Sequence, residues 1–322
     1  MLFSSFTALS TMALVSLIGG TSADEYYGVR LGSFRNITSG MFGNVWLANS
    51  TVIQITDFRM DKIQKHEILF AFASSDGKFA AVKSLYSVVT DDKGEDSLMS
   101  ISKKHLGNGG PEKLRLVAVT PTGKKTNDFK QFGVATGKTM RFLSAVPIDK
   151  AAPESFCCIR NADQPTRGII GEHYSANTGE ISVEDDKTLT IHNLTLEANR
   201  APDAWIFAGR GEVRQSSGKK AFVVGRDTPT RHCSLRDDYR GNDDLRVQLA
   251  SGQNIYGIDY LSLFCYQYDV DFGHIGVRLN SQQNPVPAYI PPLGGNDQQT
   301  AKVRTEIDED DVLESNDIDR GC

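Results

Sequence analysis

Asp203-Ala204-Trp205-Ile206-Phe207-Ala208-Gly209 is a short continuous apolar run bounded by turn-forming residues, the pattern of a strand buried on both faces. A run of the same kind, Ile68-Leu69-Phe70-Ala71-Phe72, follows Glu67 in the first half of the chain. Each is preceded by a segment that alternates apolar and polar residues as a half-buried strand does, Ile53-Gln54-Ile55-Thr56-Asp57-Phe58 and Leu189-Thr190-Ile191-His192-Asn193-Leu194. Glycine pairs eight residues apart stand ahead of both, Gly32 with Gly40 and Gly171 with Gly179. A third block closes each copy. Leu114-Arg115-Leu116-Val117-Ala118-Val119 corresponds to Leu245-Arg246-Val247-Gln248-Leu249, and Asp128 to Gly133 corresponds to Asp259 to Cys265 with one residue gapped. The chain therefore matches itself at a spacing of about 136 residues, too long for a solenoid repeat and suited to two copies of a whole domain.

Glycine and Asn/Asp clusters such as Gly107-Asn108-Gly109-Gly110 punctuate these segments, and no long segment has the helical period. The fold expected is all-β, two tandem β-sandwich or small-barrel domains at 24–150 and 160–280. Residues 281–322 hold four prolines and then an acidic run from Glu306 to Asp319, which predicts a disordered acidic C-terminal tail. Of 322 residues, 39% are apolar and 23% charged, enough for real cores. The net charge is −5, and residues 24–150, with 18 basic and 13 acidic side chains, are not basic enough for a general nucleic-acid binder. Beyond the N-terminus, no apolar run reaches the roughly 18 residues a membrane span needs.

Residues 1–23 read as a signal peptide, an apolar stretch from Leu9 to Ile18 followed by small residues and a cleavage point after Ala23. A secreted, extracellular protein follows, and the sequons at Asn36, Asn49 and Asn193 agree with it. In that oxidising compartment the five cysteines predict up to two disulfides and a thiol left over. Cys157, Cys158, Cys233 and Cys265 are the disulfide candidates. A bridge between the adjacent Cys157 and Cys158 would need a strained ring, so each is expected to reach elsewhere.

Gly171 to Gly179, Leu189-Thr190-Ile191, Pro202 to Gly209, and above all Ile258-Asp259-Tyr260-Leu261-Ser262-Leu263-Phe264-Cys265 running on to Phe272-Gly273-His274 resemble the DM-thirteen domain, a module found beside DOMON domains. The resemblance covers most of 160–280 and, more weakly, 28–145. It implies an extracellular all-β module in proteins that organise matrix, with redox chemistry or haem contact through a cysteine that matches Cys265. With Gly133 in the corresponding region of the first copy, a thiol-dependent role falls to the second domain alone. No DOMON domain is visible, so a complete electron-transfer chain is not implied.

Cys265 then has three readings: a buried inert side chain, half of a disulfide with Cys233, or a redox or haem-ligating thiolate. His274 is the candidate second haem ligand, against its reading as a turn or surface residue. His232-Cys233 lacks a second pair at ligand spacing, so no metal site is expected there. No HExxH, GxSxG, phosphate-binding glycine loop or paired catalytic carboxylates propose a hydrolase. Asp185-Asp186, Asp237-Asp238 and Asp243-Asp244 read as solvated loop charges, with loop calcium as the sharper alternative. Tyr26, Tyr27, Trp46 and Trp205 could floor a carbohydrate site but fit core packing better. The function expected is a binding and interaction module with an extracellular-matrix or cell-surface partner and a redox role at Cys265. The alternative is a haem-binding or electron-transfer accessory protein.

Overall fold

The computed structural model describes residues 25–61, 68–90, 96–101, 110–137, 141–228 and 231–292. The signal peptide expected at 1–23, Cys322 and the acidic run lie outside them. The first domain comprises β1 (Val29–Asn36), β2 (Met41–Asn49), β3 (Val52–Met60), β4 (Ile68–Ala73), β5 (Phe79–Ala81), β6 (Ser84–Thr90), β7 (Asp96–Ser100), β8 (Gly110–Val119), β9 (Gln131–Thr136) and β10 (Arg141–Pro147). One sheet has the order β1-β2-β3-β8-β6-β7 and faces a second, β10-β9-β4-β5. Between them lies a core fed by both sheets, including Phe34, Ile53, Ile55 and Leu116 from the first and Phe70, Phe72, Phe132 and Val134 from the second. This is a sandwich, built by the apolar runs and alternating segments of the sequence.

The second domain repeats it. Its strands are β11 (Phe156–Ile159), β12 (Arg167–Ile170), β13 (Asn177–Gly179), β14 (Ile181–Val183), β15 (Thr188–Ile191), β16 (Thr195–Leu196), β17 (Ala204–Gly209), β18 (Gly218–Lys220), β19 (Phe222–Val223), β20 (Tyr239–Arg240), β21 (Leu245–Gln248), β22 (Tyr260–Cys265) and β23 (Val270–Gly276). The sheets are β11-β14-β15-β21-β19, β18-β17-β22-β23 and a small β12-β13-β16-β20. Read in register, the first two reproduce those of the first domain strand for strand, except that β7 has no counterpart. Ile53 pairs with Ala118 as Leu189 does with Val247, and Ala73 pairs with Gln131 as Gly209 does with Tyr260. Even the bulges recur: Leu143 is the extra residue of β10 and Phe272 that of β23.

The register corrects the alignment of the two copies. Ile68 pairs with Thr136 where Ala204 pairs with Cys265, so Thr136, and not Gly133, is the counterpart of Cys265. Apolar strands of similar composition align almost equally well when slipped, and only the hydrogen-bond ladder fixes which residue faces which.

The expected start of disorder at 281 is also corrected. Residues 281–284 form a turn, and residues 285–292 run from it as an extended strap between the domains. Val286 is fully buried in the second core, while Ala288 packs with Ala48, Val52 and Val117 on the first domain. The Ala288 N–H donates to the Ala48 carbonyl at 3.3 Å, and the Tyr256 hydroxyl donates to the Asn284 carbonyl while accepting from the Val286 N–H. Proline excludes helix and central strand but suits an extended strap whose alternate residues point inward.

Candidate functional site

All six residues of β17 and all six of β22 are buried, and their side chains divide by alternation between two faces. Ala204, Ile206 and Ala208 with Leu261, Leu263 and Cys265 face the sandwich core. Phe207, Tyr260 and Phe264 form a separate cluster on the other face, where Phe207 and Phe264 stack at 4.6 Å. Beside it the Lys220 Nζ lies 4.0 Å from the ring centroids of both Trp205 and Tyr266, and Trp205 is 2% exposed. Trp205 is therefore packed in place, with His232 meeting it edge-on while stacking on Phe222.

Cys265 is a free thiol, 1% exposed, in the core at the end of β22. Burial, with a smaller contribution from the Asp203 carboxylate, raises its pKa above the ordinary thiol value, against the backbone N–H groups of Tyr268 and Gln267. The disulfide with Cys233 is ruled out, since Cys265 is free while Cys233 is disulfide-bonded. At neutral pH the Cys265 sulfur is a sealed, protonated thiol and so a poor nucleophile.

His274 is on the wrong face to join it. It pairs with Ser262, whose neighbours Leu261 and Leu263 share the Cys265 face, so His274 and Cys265 project from opposite sides of the sheet. They do not fit as two axial ligands of one haem iron. His274 Nδ1 instead meets Asp271 Oδ2 at 2.5 Å, and Asp271 also accepts from the Ser262 hydroxyl and the Gly273 N–H.

Close packing explains the glycine of Phe272-Gly273. A Cβ on Gly273 would meet the Gly171 Cα at 2.5 Å, and one on Gly171 would meet the Phe272 carbonyl oxygen at 2.2 Å. The two glycines let β12 cross directly against β23, while Phe272 fills the core.

Cys157 and Cys158 are bonded to each other, contrary to the expectation that each reaches elsewhere. The adjacent pair closes its small ring across a cis peptide, a geometry that spacing rules drawn from ordinary disulfides leave out. The bridge occupies a register break of β11, where two residues between Phe156 and Ile159 oppose the single Ser182 of β14. Cys157 is exposed, and the two sulfurs lie within 4.8 Å of a Glu180 carboxylate oxygen.

On the same β14–β15 face, Ser182 Oγ and His192 Nε2 are 2.6 Å apart, and His192 Nδ1 is 2.8 Å from Asp244 Oδ2. The connectivity is that of a serine–histidine–carboxylate relay, and nothing in the spacing of 182, 192 and 244 announced it. Asp244 is 54% exposed and His192 31%, so the relay lies open to water, away from the water-excluded donors that make such a relay catalytic. Asp244 is drawn below the usual carboxylate range by its bond to His192.

Asp185-Asp186 is not a solvated loop pair. Asp186 is 3% exposed, its Oδ1 accepts from the Tyr289 N–H at 2.6 Å, and its own N–H donates to the Pro287 carbonyl. Burial, aided by Asp185, pushes its carboxyl up to about 7, against the bond from the Tyr289 N–H and, more weakly, Lys187 and Arg115. Tyr26 and Tyr256, in edge contact at 5.2 Å, complete this junction of the two domains and the strap. Tyr27 and Trp46 lie on the outer face of the first sheet, with Arg115 over the one ring and Arg30 over the other. Of the sequon asparagines, Asn36 donates to the Leu143 carbonyl, Asn49 accepts from the Thr51 N–H and hydroxyl, and Asn193 is exposed with φ 49°.

These features define an antiparallel sandwich with one sealed thiol at the end of its central hairpin. Residues 170–277 match the family model described as electron transfer DM13, and that stretch is a DM13 domain. Over 97% of its length the chain is 25% identical to Protein Skeletor, isoforms B/C, of Drosophila melanogaster, and likewise to isoforms D/E of the same protein. It spans 35% of the former and 18% of the latter. No solved structure matches the chain. Among the described residues no helix is long and apolar enough to cross a membrane.

Proposed function

We propose that this chain is a secreted matrix or cell-surface module whose second domain takes part in electron transfer, with Cys265 as its redox group. The observation that carries this reading is that Cys265, inside the stretch matched to electron transfer DM13, is the free cysteine of the described residues. Burial sets the chemistry. A neutral, sealed thiol loses an electron together with its proton: the S–H bond breaks, the electron passes to a one-electron acceptor, the proton passes to water as the end of the strand opens transiently, and a sulfur-centred radical stays at Cys265. Tyr266, next in the chain and half-buried, packs against Phe207 on the other face of the sheet.

Hexachloroiridate(IV), a coloured one-electron oxidant strong enough to take an electron from a thiol, is a suitable acceptor. The wild-type chain should bleach about one equivalent that the Cys265→Ser variant leaves untouched, and equal consumption by both would overturn the assignment. The compartment is tested separately. Intact mass of material from a secreting cell should fall on enzymatic deglycosylation, with the exposed Asn193 among the sites that lose mass, and an unmodified chain would contradict export.

A further inference from the structure

The bridge at Cys157–Cys158 closes no loop. A disulfide stabilises a fold mainly by shortening the loops open to the unfolded chain, and one between neighbours in sequence has no loop to shorten. Nor does the bridge make the bulge that carries it. In the first domain Val29 pairs with Leu47 and Gly32 with Val45, so Arg30 and Leu31 oppose Trp46 in the same two-against-one arrangement without any cysteine. The fold supplies this bulge twice, and the second domain places two cysteines in it. Structural need thus explains neither residue.

The surroundings suit exchange chemistry. Cys157 is exposed, and the Arg160 guanidinium approaches its sulfur at 3.9 Å. Arg160 is held there by Glu180, which it bonds at 2.8 Å and whose other oxygen lies 3.8 Å from the same sulfur. The Arg160 cation steadies the Cys157 thiolate that leaves in the second step, working against the Glu180 carboxylate that pairs with it at a similar distance from the sulfur. Cys265 is in the sandwich core on β22, sealed from this face.

We propose that Cys157–Cys158 is a two-electron redox site that exchanges with external dithiols. A donor thiolate attacks the exposed Cys157 sulfur, the bond to Cys158 breaks, and a mixed disulfide forms. The second donor thiol then displaces Cys157, so that the donor leaves as its own disulfide. Two electrons and two protons end on the cysteine pair. This site is independent of the reading given to Cys265, which is tested by oxidation, whereas this one is tested by reduction.

The test treats the full chain with dithiothreitol at neutral pH without denaturant, quenches with N-ethylmaleimide and maps the labelled peptides. Cys157 and Cys158 should be labelled together within minutes, with Cys265 unlabelled and the melting temperature unchanged. Arg160→Ala should slow the labelling roughly fivefold, the loss of about 1 kcal/mol of surface attraction. The double variant Cys157→Ser, Cys158→Ser should melt as the wild type does and take up no electrons at this site. Labelling only after unfolding would overturn the proposal, and so would a fall of several degrees in the melting temperature of the double variant, which would make the bridge a staple.

Discussion

Cys265 and Asp186 are reactive groups placed where water cannot reach them, and each has a consequence for a single substitution. In Cys265→Ser a hydroxyl replaces a thiol that the core accepts as a small apolar group. The N–H groups of Gln267 and Tyr268 offer the new oxygen partners, so the cost should fall at the low end of the roughly 1 to 3 kcal/mol of a buried polar change, read from denaturant midpoints. A loss well above that range would mean that the thiol is half of a bridge. For Asp186 the raised pKa means that the folded chain keeps a proton the unfolded chain releases. Stability from this residue is complete below about pH 4 and is lost as pH rises towards about 7. Asp186→Asn keeps the oxygen that accepts from Tyr289 and removes the charge. Its melting temperature should exceed that of the wild type by a few degrees at pH 8, and by less at pH 5. An equal gain at both values would show that the carboxyl titrates normally. Sequence reading found Cys265 because a family signature runs through it. It could not find the burial of Asp186, since an acidic pair between strands looks the same whether water or a strap covers it.

At the level of strands, the repeat was legible and the register was not. Alternation in Ile53 to Phe58 and the continuous apolar runs Ile68 to Phe72 and Ala204 to Ala208 identify central strands from composition alone, because residues on a strand have only two directions to face. Which strand residue sits opposite which depends on bulges, and neither Leu143 nor Phe272 carries a sequence mark of being the extra residue. The same gap hid the Ser182, His192 and Asp244 contacts, made between β14, the end of β15 and the loop before β21. The crossing of β12 over β23 gives the sharpest test at this scale. Gly273→Ala puts a methyl carbon 2.5 Å from the Gly171 Cα, a backbone atom that cannot turn aside. It should cost roughly 1 to 3 kcal/mol or more in chemical denaturation, with Gly211→Ala, where a Cβ meets open space but φ is 73°, as the comparison for backbone strain alone. Equal losses at the two positions would show that crowding contributes nothing at Gly273.

For the molecule as a whole, the strap is the element that composition misread. Proline density and the acidic run beyond it suggested one disordered segment starting at 281, yet Val286 and Ala288 bury side chains against different domains within three residues. Val286→Ala should lower stability by roughly 1 to 3 kcal/mol through the cavity it leaves, and a change within experimental error would mean that the strap is not docked in solution. The junction of the two domains is made by Tyr26, Tyr256, Asp186 and the strap. The account as a whole rests on Cys265 being a protonated thiol closed inside the DM13 sandwich. Alkylation by iodoacetamide at pH 8, followed by peptide mapping, tests this directly. The Cys265 peptide should remain unmodified in the native chain over hours and become fully modified once the chain is unfolded in guanidinium chloride; complete native-state modification within minutes would contradict it.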